Sequence, residues 1–460
     1  MNASREESAR GQIMFALASV AVLVTAMLWL DQAGPKAPAA AEAGTAPSGA
    51  WICPHGGGSG LSTALFLANP GATTVTARVT QLGAKAAAEP TGYDVSPEST
   101  VRVNLPRGER GAATYVEFFG GWIGAGWVSF TDDGVSAEPC AADASTRWYL
   151  ADGSTQLGEE AYVVVTNPFS GPAVLDAVLY TSDRAPVRES DWTDLLVPSR
   201  RSLALHLNSM VKGEPVVAVT LEVSVGRVAA ASLGVSDRTK VRSALGWPEQ
   251  ATGGIFSSMQ GSGQTELLLL SIAQGSIRFG ATTLSEDQPR PASGLTEQEH
   301  GPAAARAYAI PAEAGPTAIR LFTLERAPIA GALRALGPGE DLGATAGAVA
   351  ASEGWLLFPA SAQLPTDPGA VLVNDGDVDV VATVELLPQE GSTAAVPVTV
   401  RVPAHGAAAV PPELWAAAPG SALLIRADGP LVALAATTSR GSADSDAFAL
   451  SMAVPLPQDT

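Results

Sequence analysis

Trp51-Ile52-Cys53-Pro54 opens a segment that reaches, eighteen residues after the tryptophan, Asn69 at the end of the run LFLANPG, 65–71. The design returns twice. Trp148-Tyr149-Leu150-Ala151 leads, nineteen residues on, to Asn167 in VVVTNPF, 163–169, and Trp355-Leu356-Leu357-Phe358-Pro359 leads, nineteen on, to Asn374 in VLVNDGD, 371–377. Each reads as a strand, a loop, a second apolar strand and an Asn-led turn. Asn suits such a turn because its side chain bonds back to its own backbone.

The second halves repeat as well. ATYVEFFGGWIGAGWVSF (113–130), VVAVTLEVSVGRVAAASLGV (216–235), AIRLFTLERAPIAGAL (318–333) and ALLIRADGPLVALAATTS (422–439) align with one another. Each is an apolar strand, a short turn bearing Gly or Pro, and a strand of small and β-branched residues, the signature of a hairpin. Polar strands between the halves end near Leu105-Pro106, Val197-Pro198, Ile310-Pro311 and Val402-Pro403.

The openings lie 97 residues apart for the first pair, and 207 separate the second from the last. The longer gap fits one further, diverged module, with ELLLLSIA (266–273) in place of the Asn-turn strand and no opening Trp. The expected modules are 51–145, 146–248, 249–345 and 346–460. Fixed-period self-similarity marks an array, and short β-rich runs with turn chemistry every 8–12 residues or so mark sandwiches. The expected fold is all-β: tandem immunoglobulin-like β-sandwich modules. The alternative is a propeller-like closed β array, whose blades usually repeat at about 40–50 residues, half the period seen.

Ile13 to Leu30 is an eighteen-residue run with only Ser19 and Thr25 polar. At about 1.5 Å per residue it is close to the thickness of the hydrocarbon core. Arg5 and Arg10 precede it and Asp31 follows. This bias places a leader, 1–12, inside, and everything beyond a transmembrane anchor, 13–30, outside. A cleaved signal peptide is the rival, though its apolar region typically spans only about 7–15 residues. Residues 31–50, rich in Ala, Pro and Gly, read as a tether. Cys53 and Cys140, the only cysteines, flank the first module, each beside a proline. They suit a disulfide, in keeping with an oxidising compartment.

The anchor, the Ala/Pro tether and the W-x-x-P…N-P-G module resemble an actinobacterial family of membrane-anchored secreted proteins of unknown function. The full motif is present only in the first repeat. The resemblance implies a cell-envelope setting and transfers no catalytic residue.

Hydrophobic residues make up 46% of the 460, enough to build cores, and the formal net charge is −19. The four lysines are scattered and no cluster of Lys and Arg offers a phosphate-binding surface, which argues against nucleic acid. The four histidines, His55, His206, His300 and His405, share no spacing. No G-x-S-x-G elbow is present. Cys53-Pro54-His55 has no second ligand pair to make a zinc site. Asp375-Gly376-Asp377-Val378-Asp379 resembles a calcium loop, but Val380 stands at its sixth position and Leu386 at its twelfth, so it reads as a solvated turn. No catalytic, cofactor or metal residue is assigned.

The aromatic residues around the first hairpin, Phe118, Phe119, Trp122 and Trp127, form a candidate exposed surface. The expected function is that of a non-catalytic envelope interaction or scaffold protein, facing an envelope protein or a neutral glycan. Glycan binding is the alternative. An enzyme with a cross-strand carboxylate pair is the third reading.

Overall fold

The computed structural model describes residues 48–457, apart from 237–239, 259–264, 311–316, 338–340, 361–364, 391, 393–394, 417, 419 and 441–445. The expected anchor, 13–30, lies outside the described residues, as does most of the tether. Among the described residues no helix is long and apolar enough to cross a membrane. Pro47–Thr460 gather into one compact unit.

The first module has eight strands: β1 (Gly49–Gly56), β2 (Ser62–Asn69), β3 (Val75–Leu82), β4 (Thr91–Val95), β5 (Ser99–Asn104), β6 (Ala112–Phe119), β7 (Gly124–Phe130) and β8 (Val135–Pro139). They build two antiparallel sheets, ordered β1-β6-β3-β4 and β5-β2-β7-β8. The second module repeats both orders, from Arg147–Leu150 to Lys240–Leu245. The third runs from Gly253–Ser258 to Leu342–Thr345, with two short pieces, Arg290–Pro291 and Gln298–His300, replacing the fourth strand. The fourth runs from Ser352–Leu357 to Asp446–Met452, its sixth and seventh strands fused into one, Ala422–Arg440. The expected tandem β-sandwiches are present, with a strand order in which β2 and β3, though consecutive, lie in opposite sheets.

Each module is sealed by its own exit. The segment after the eighth strand returns to pair with the first strand, through Ile52 and Ala141, Tyr149 and Trp247, Ile255 and Ala348, and Leu356 and Val454. In the first module the Cys53–Cys140 disulfide lies beside that pairing, with 4.4 Å between the Cα atoms.

The repeated residues occupy equivalent places. Trp51, Trp148 and Trp355 each donate the indole N–H, at 2.7 Å, to a carbonyl at the start of the seventh strand: Ile123, Val228 and Leu431. In the third module the register of the exit pairing puts Gly254 at this position. Trp247, from the preceding linker, fills the gap: a Cβ on Gly254 would lie 3.1 Å from its ring. Trp247 stacks on Phe256 and donates its indole N–H to Ala346. Asn69 directs Nδ2 at the carbonyls of Thr73, Val95 and Ser96 while Oδ1 accepts from Gly71. Asn167 and Asn374 repeat this pattern. Ser271 stands in for them in the third module, accepting from the Ala273 N–H.

The sandwiches close into a ring. The second residue of each fifth strand donates its backbone N–H to the carbonyl just past the third strand of the module before: Ser202 to Gly83 at 3.3 Å, Ala305 to Thr181 at 3.1 Å, and Ala407 to Ser285 at 3.1 Å. The same bond then joins the last module to the first, from Thr100 to Pro388 at 2.9 Å. The eighth strands line the axis: β8 and Leu342–Thr345 both pack against Lys240–Leu245 and Asp446–Met452.

This arrangement explains two kinds of sequence pattern. The sheets holding β2 and β7 face their partner sheet on one side and the ring interior on the other. Their strands are therefore continuous apolar runs, as in strands buried on both faces: β7 is buried from Gly124 to Ser129, and Leu267 to Leu270 are fully buried. Burying each such leucine is worth about 1.5–3 kcal/mol. The outer sheets have one solvated face and alternate, as β3 does from Val75 to Arg78.

Candidate functional site at the joints between modules

The ionisable groups buried in the ring lie mainly at its joints. Between modules 2 and 3, Asp152 follows the first strand of module 2, while Arg242 comes from that module's eighth strand and Arg334 from the seventh strand of module 3. Arg334 grips Asp152 with Nη2 at 2.5 Å and Nε at 3.1 Å, and its Nη1 lies 3.6 Å from Glu266. Arg242 places Nε 3.3 Å from Asp152 and donates Nη1 to Glu159 at 2.6 Å. The guanidinium of Arg242 lies so close over Gly234 that a Cβ there would sit 2.5 Å from Cζ.

Burial works to raise the Asp152 pKa, but Arg334 and Arg242 outweigh it and hold the carboxyl below its ordinary value. Burial works against the charge on Arg242, and Asp152 and Glu159 more than restore it. Charges at such depth persist only when paired and hydrogen-bonded. Arg242 is 2% exposed, and its Nη2 has no protein partner. Beside this network is a cavity of about 150 Å³, lined by Ser154, Gln156, Glu159 and Arg242 from module 2 and by Glu266, Arg334, Leu336 and Leu342 from module 3.

On the axis, two acids tie module 1 to module 3. Asp341, ahead of the eighth strand of module 3, accepts backbone N–H bonds from Leu342 at 2.9 Å, Val135 at 3.3 Å and Phe448 at 2.9 Å, and so holds modules 1, 3 and 4 together. Burial pushes its carboxyl up to about 6, against the pull of those N–H groups and of Lys240. Glu138 reaches the other way, accepting from the Ala346 N–H at 3.3 Å. Burial raises its carboxyl well above the ordinary range, despite the opposing effect of Thr345, Ala346 and Leu245. Through that bond it acts as a strut between the two modules.

Residues 127–242 match a family of unknown function, DUF5719. The matched stretch, a quarter of the chain (116 of 460 residues), starts in β7 at Trp127 and ends at Arg242, taking in Asp152 and Glu159. No curated protein matches the chain. Among solved structures, a tetra-tandem repeat from the extending region of a large adhesion protein aligns with 89% of this chain and 99% of its own, at 9% identity and a TM-score of 0.11. Trypsin-activated alpha-2-macroglobulin from Escherichia coli aligns with 90% of this chain at 12% identity and a TM-score of 0.12; this chain spans 35% of its length. Neither superposition is close enough to support an argument.

The candidate aromatic surface is corrected. Phe118 and Trp127 are buried. Phe118 shares the inward face of β6 with Thr114 and Val116, and Trp127 sits in a strand covered on both sides. Trp122 is half-buried, edge-on to Trp51 at 6.0 Å. Phe119, 44% exposed at the end of β6, has the Arg78 guanidinium 5.7 Å from its ring centroid. The surface thus shrinks to Phe119 and part of Trp122.

The histidines are dispersed. His55 is buried, with Nε2 3.0 Å from the Thr114 hydroxyl, and burial pulls its imidazole down to about 3. His300 lies between the Tyr308 hydroxyl and the Ala304 carbonyl. His206 stacks on Tyr162 and pairs with Glu160. His405 pairs with Asp377 at 2.9 Å. In the calcium-like turn, Asp375 faces Arg320 and Asp379 faces Arg401, so its acids meet cations from different strands and do not converge. Among the described residues no three His, Cys, Asp or Glu side chains group as metal ligands. Sequence reasoning missed Asp152, Arg242 and Arg334 altogether. The clearest signal was Arg334, a charge inside the otherwise apolar strand Ala330–Leu336.

Proposed function

We propose that this chain is a non-catalytic interaction or scaffold protein, displayed outside the cytoplasmic membrane by the apolar segment 13–30 and facing an envelope protein. The observation that carries the reading is the use to which the ring puts its buried ionisable groups. Asp152, Arg334, Glu138 and Asp341 brace one module against another, and Arg242 supports Asp152 from within module 2. They stiffen a platform, leaving loops and outer sheet faces as contact surface. The Cys53–Cys140 disulfide supports an extracytoplasmic location, since such bonds persist in oxidising compartments. Glycan binding loses ground because the aromatic shelf it needs is largely interior.

Crosslinking in intact cells, with mass-spectrometric identification of neighbours, tests the reading. It expects a reproducible set of envelope proteins, and no turnover of envelope glycan or peptide by the purified chain. Hydrolysis abolished by a single Asp, Glu or His substitution would overturn it.

A further inference from the structure

Of the four joints, the one between modules 2 and 3 holds both the buried arginine–aspartate network and a cavity. We propose that this cavity binds a small zwitterion, an aliphatic α-amino acid or its chemical equivalent. Its carboxylate would sit on Arg242 and its ammonium between Glu159 and Glu266.

The argument rests on what the lining leaves unsatisfied. Arg242 donates Nη1 to Glu159 and holds Nε 3.3 Å from Asp152 as an ion pair, while neither Nε nor Nη2, both buried, makes a hydrogen bond to the protein. A buried donor left unpaired is destabilising, and a ligand carboxylate would relieve that cost. The opposite need is met by Glu266, 29% exposed along its side chain and 3.6 Å from Arg334, and by Glu159, which gives one oxygen to Arg242. Arg242 and Arg334 against Asp152, Glu159 and Glu266 leave the group one negative charge in excess. A simple anion is therefore repelled, and a simple cation leaves Arg242 Nη2 unpaired. A neutral polyol satisfies both ends only with uncharged partners, whereas charge-assisted hydrogen bonds are roughly twice as strong. A cavity of about 150 Å³ holds a benzene-sized molecule, and Leu336 and Leu342 supply an apolar wall for a short aliphatic side chain.

Isothermal titration of the full-length chain in detergent micelles tests this, with glycine, alanine and leucine as probes. Acetate, methylamine and glucose isolate the anionic, cationic and hydroxylated alternatives. The expected result is saturable binding of alanine or leucine at least about tenfold tighter than of those three. Glu266→Gln, at a position exposed enough to tolerate it, should weaken binding about tenfold with Tm unchanged. The proposal is overturned if no amino acid binds saturably below about 10 mM, if a single-charge probe or glucose binds as well, or if Glu266→Gln binds like the parent chain. The envelope-scaffold reading stands or falls separately, on the crosslinking result.

Discussion

Thr100, in β5, donates its backbone N–H to the Pro388 carbonyl at 2.9 Å and its hydroxyl to the Leu387 carbonyl at 2.8 Å, 287 residues further along the chain. The hydroxyl also accepts from the Ala422 N–H at 3.1 Å. One fully buried side chain thus joins the first module to the last. Thr100→Val keeps the shape and removes the hydroxyl. It should cost about 1–3 kcal/mol in urea unfolding, with faster amide exchange at Ala422 than within the sheets of module 2. A variant as stable as the parent would show that the joint does not depend on this hydroxyl.

The buried asparagines should matter more than the serine that replaces them. Asn167→Ala strips partners from Gly171, Val197, Pro198 and Phe169 at once. The expected cost is about 3 kcal/mol, against about 1 kcal/mol for Ser271→Ala, which breaks one bond. Denaturation midpoints compare the two; equal losses would contradict the equivalence drawn between the turns.

Reducing the Cys53–Cys140 disulfide releases a loop with a sequence separation of 87. The chain-entropy model puts the loss at about 4–5 kcal/mol. Because the bond seals module 1, proteolysis of the reduced chain should begin there. Cleavage starting in module 3 would assign the weakest seal elsewhere.

Asp341 gives the ring a pH signature. Its folded value, about 6, lies above that of an ordinary carboxyl because of burial. Protonation therefore favours the fold: the contribution is complete below about pH 4 and is lost as pH rises through about 6. Asp341→Asn lacks this titration, so its stability relative to the parent should improve by on the order of 3 kcal/mol between about pH 4 and about pH 7. His55 acts oppositely on both chains, its neutral form being the folded one, and cancels from the difference. A gap independent of pH would contradict the account of Asp341.

Much of each module was legible in the sequence. The Trp and Asn positions carry side-chain bonds that need those residue types, so they recur as letters. The hairpins recur because a turn followed by small and β-branched residues has a recognisable composition. Ring closure was not legible, for a physical reason. The bonds that make it run between backbone atoms of Thr100, Ser202, Ala305 and Ala407 and of Pro388, Gly83, Thr181 and Ser285, and backbone bonds impose no common side chain. The unbroken apolar runs of β7 and Leu267–Leu270 were the available clue, since a free-standing sandwich would leave one face of them wet. The aromatic shelf was misjudged because β7 is buried along its whole run from Gly124 to Ser129, Trp127 included.

Small-angle X-ray scattering on a soluble fragment, residues 47–460, tests ring closure most directly. A closed ring of this length should have a radius of gyration of about 22 Å, the value for a compact body. Four sandwiches strung end to end would give roughly twice that or more, and such a result would contradict the closed ring.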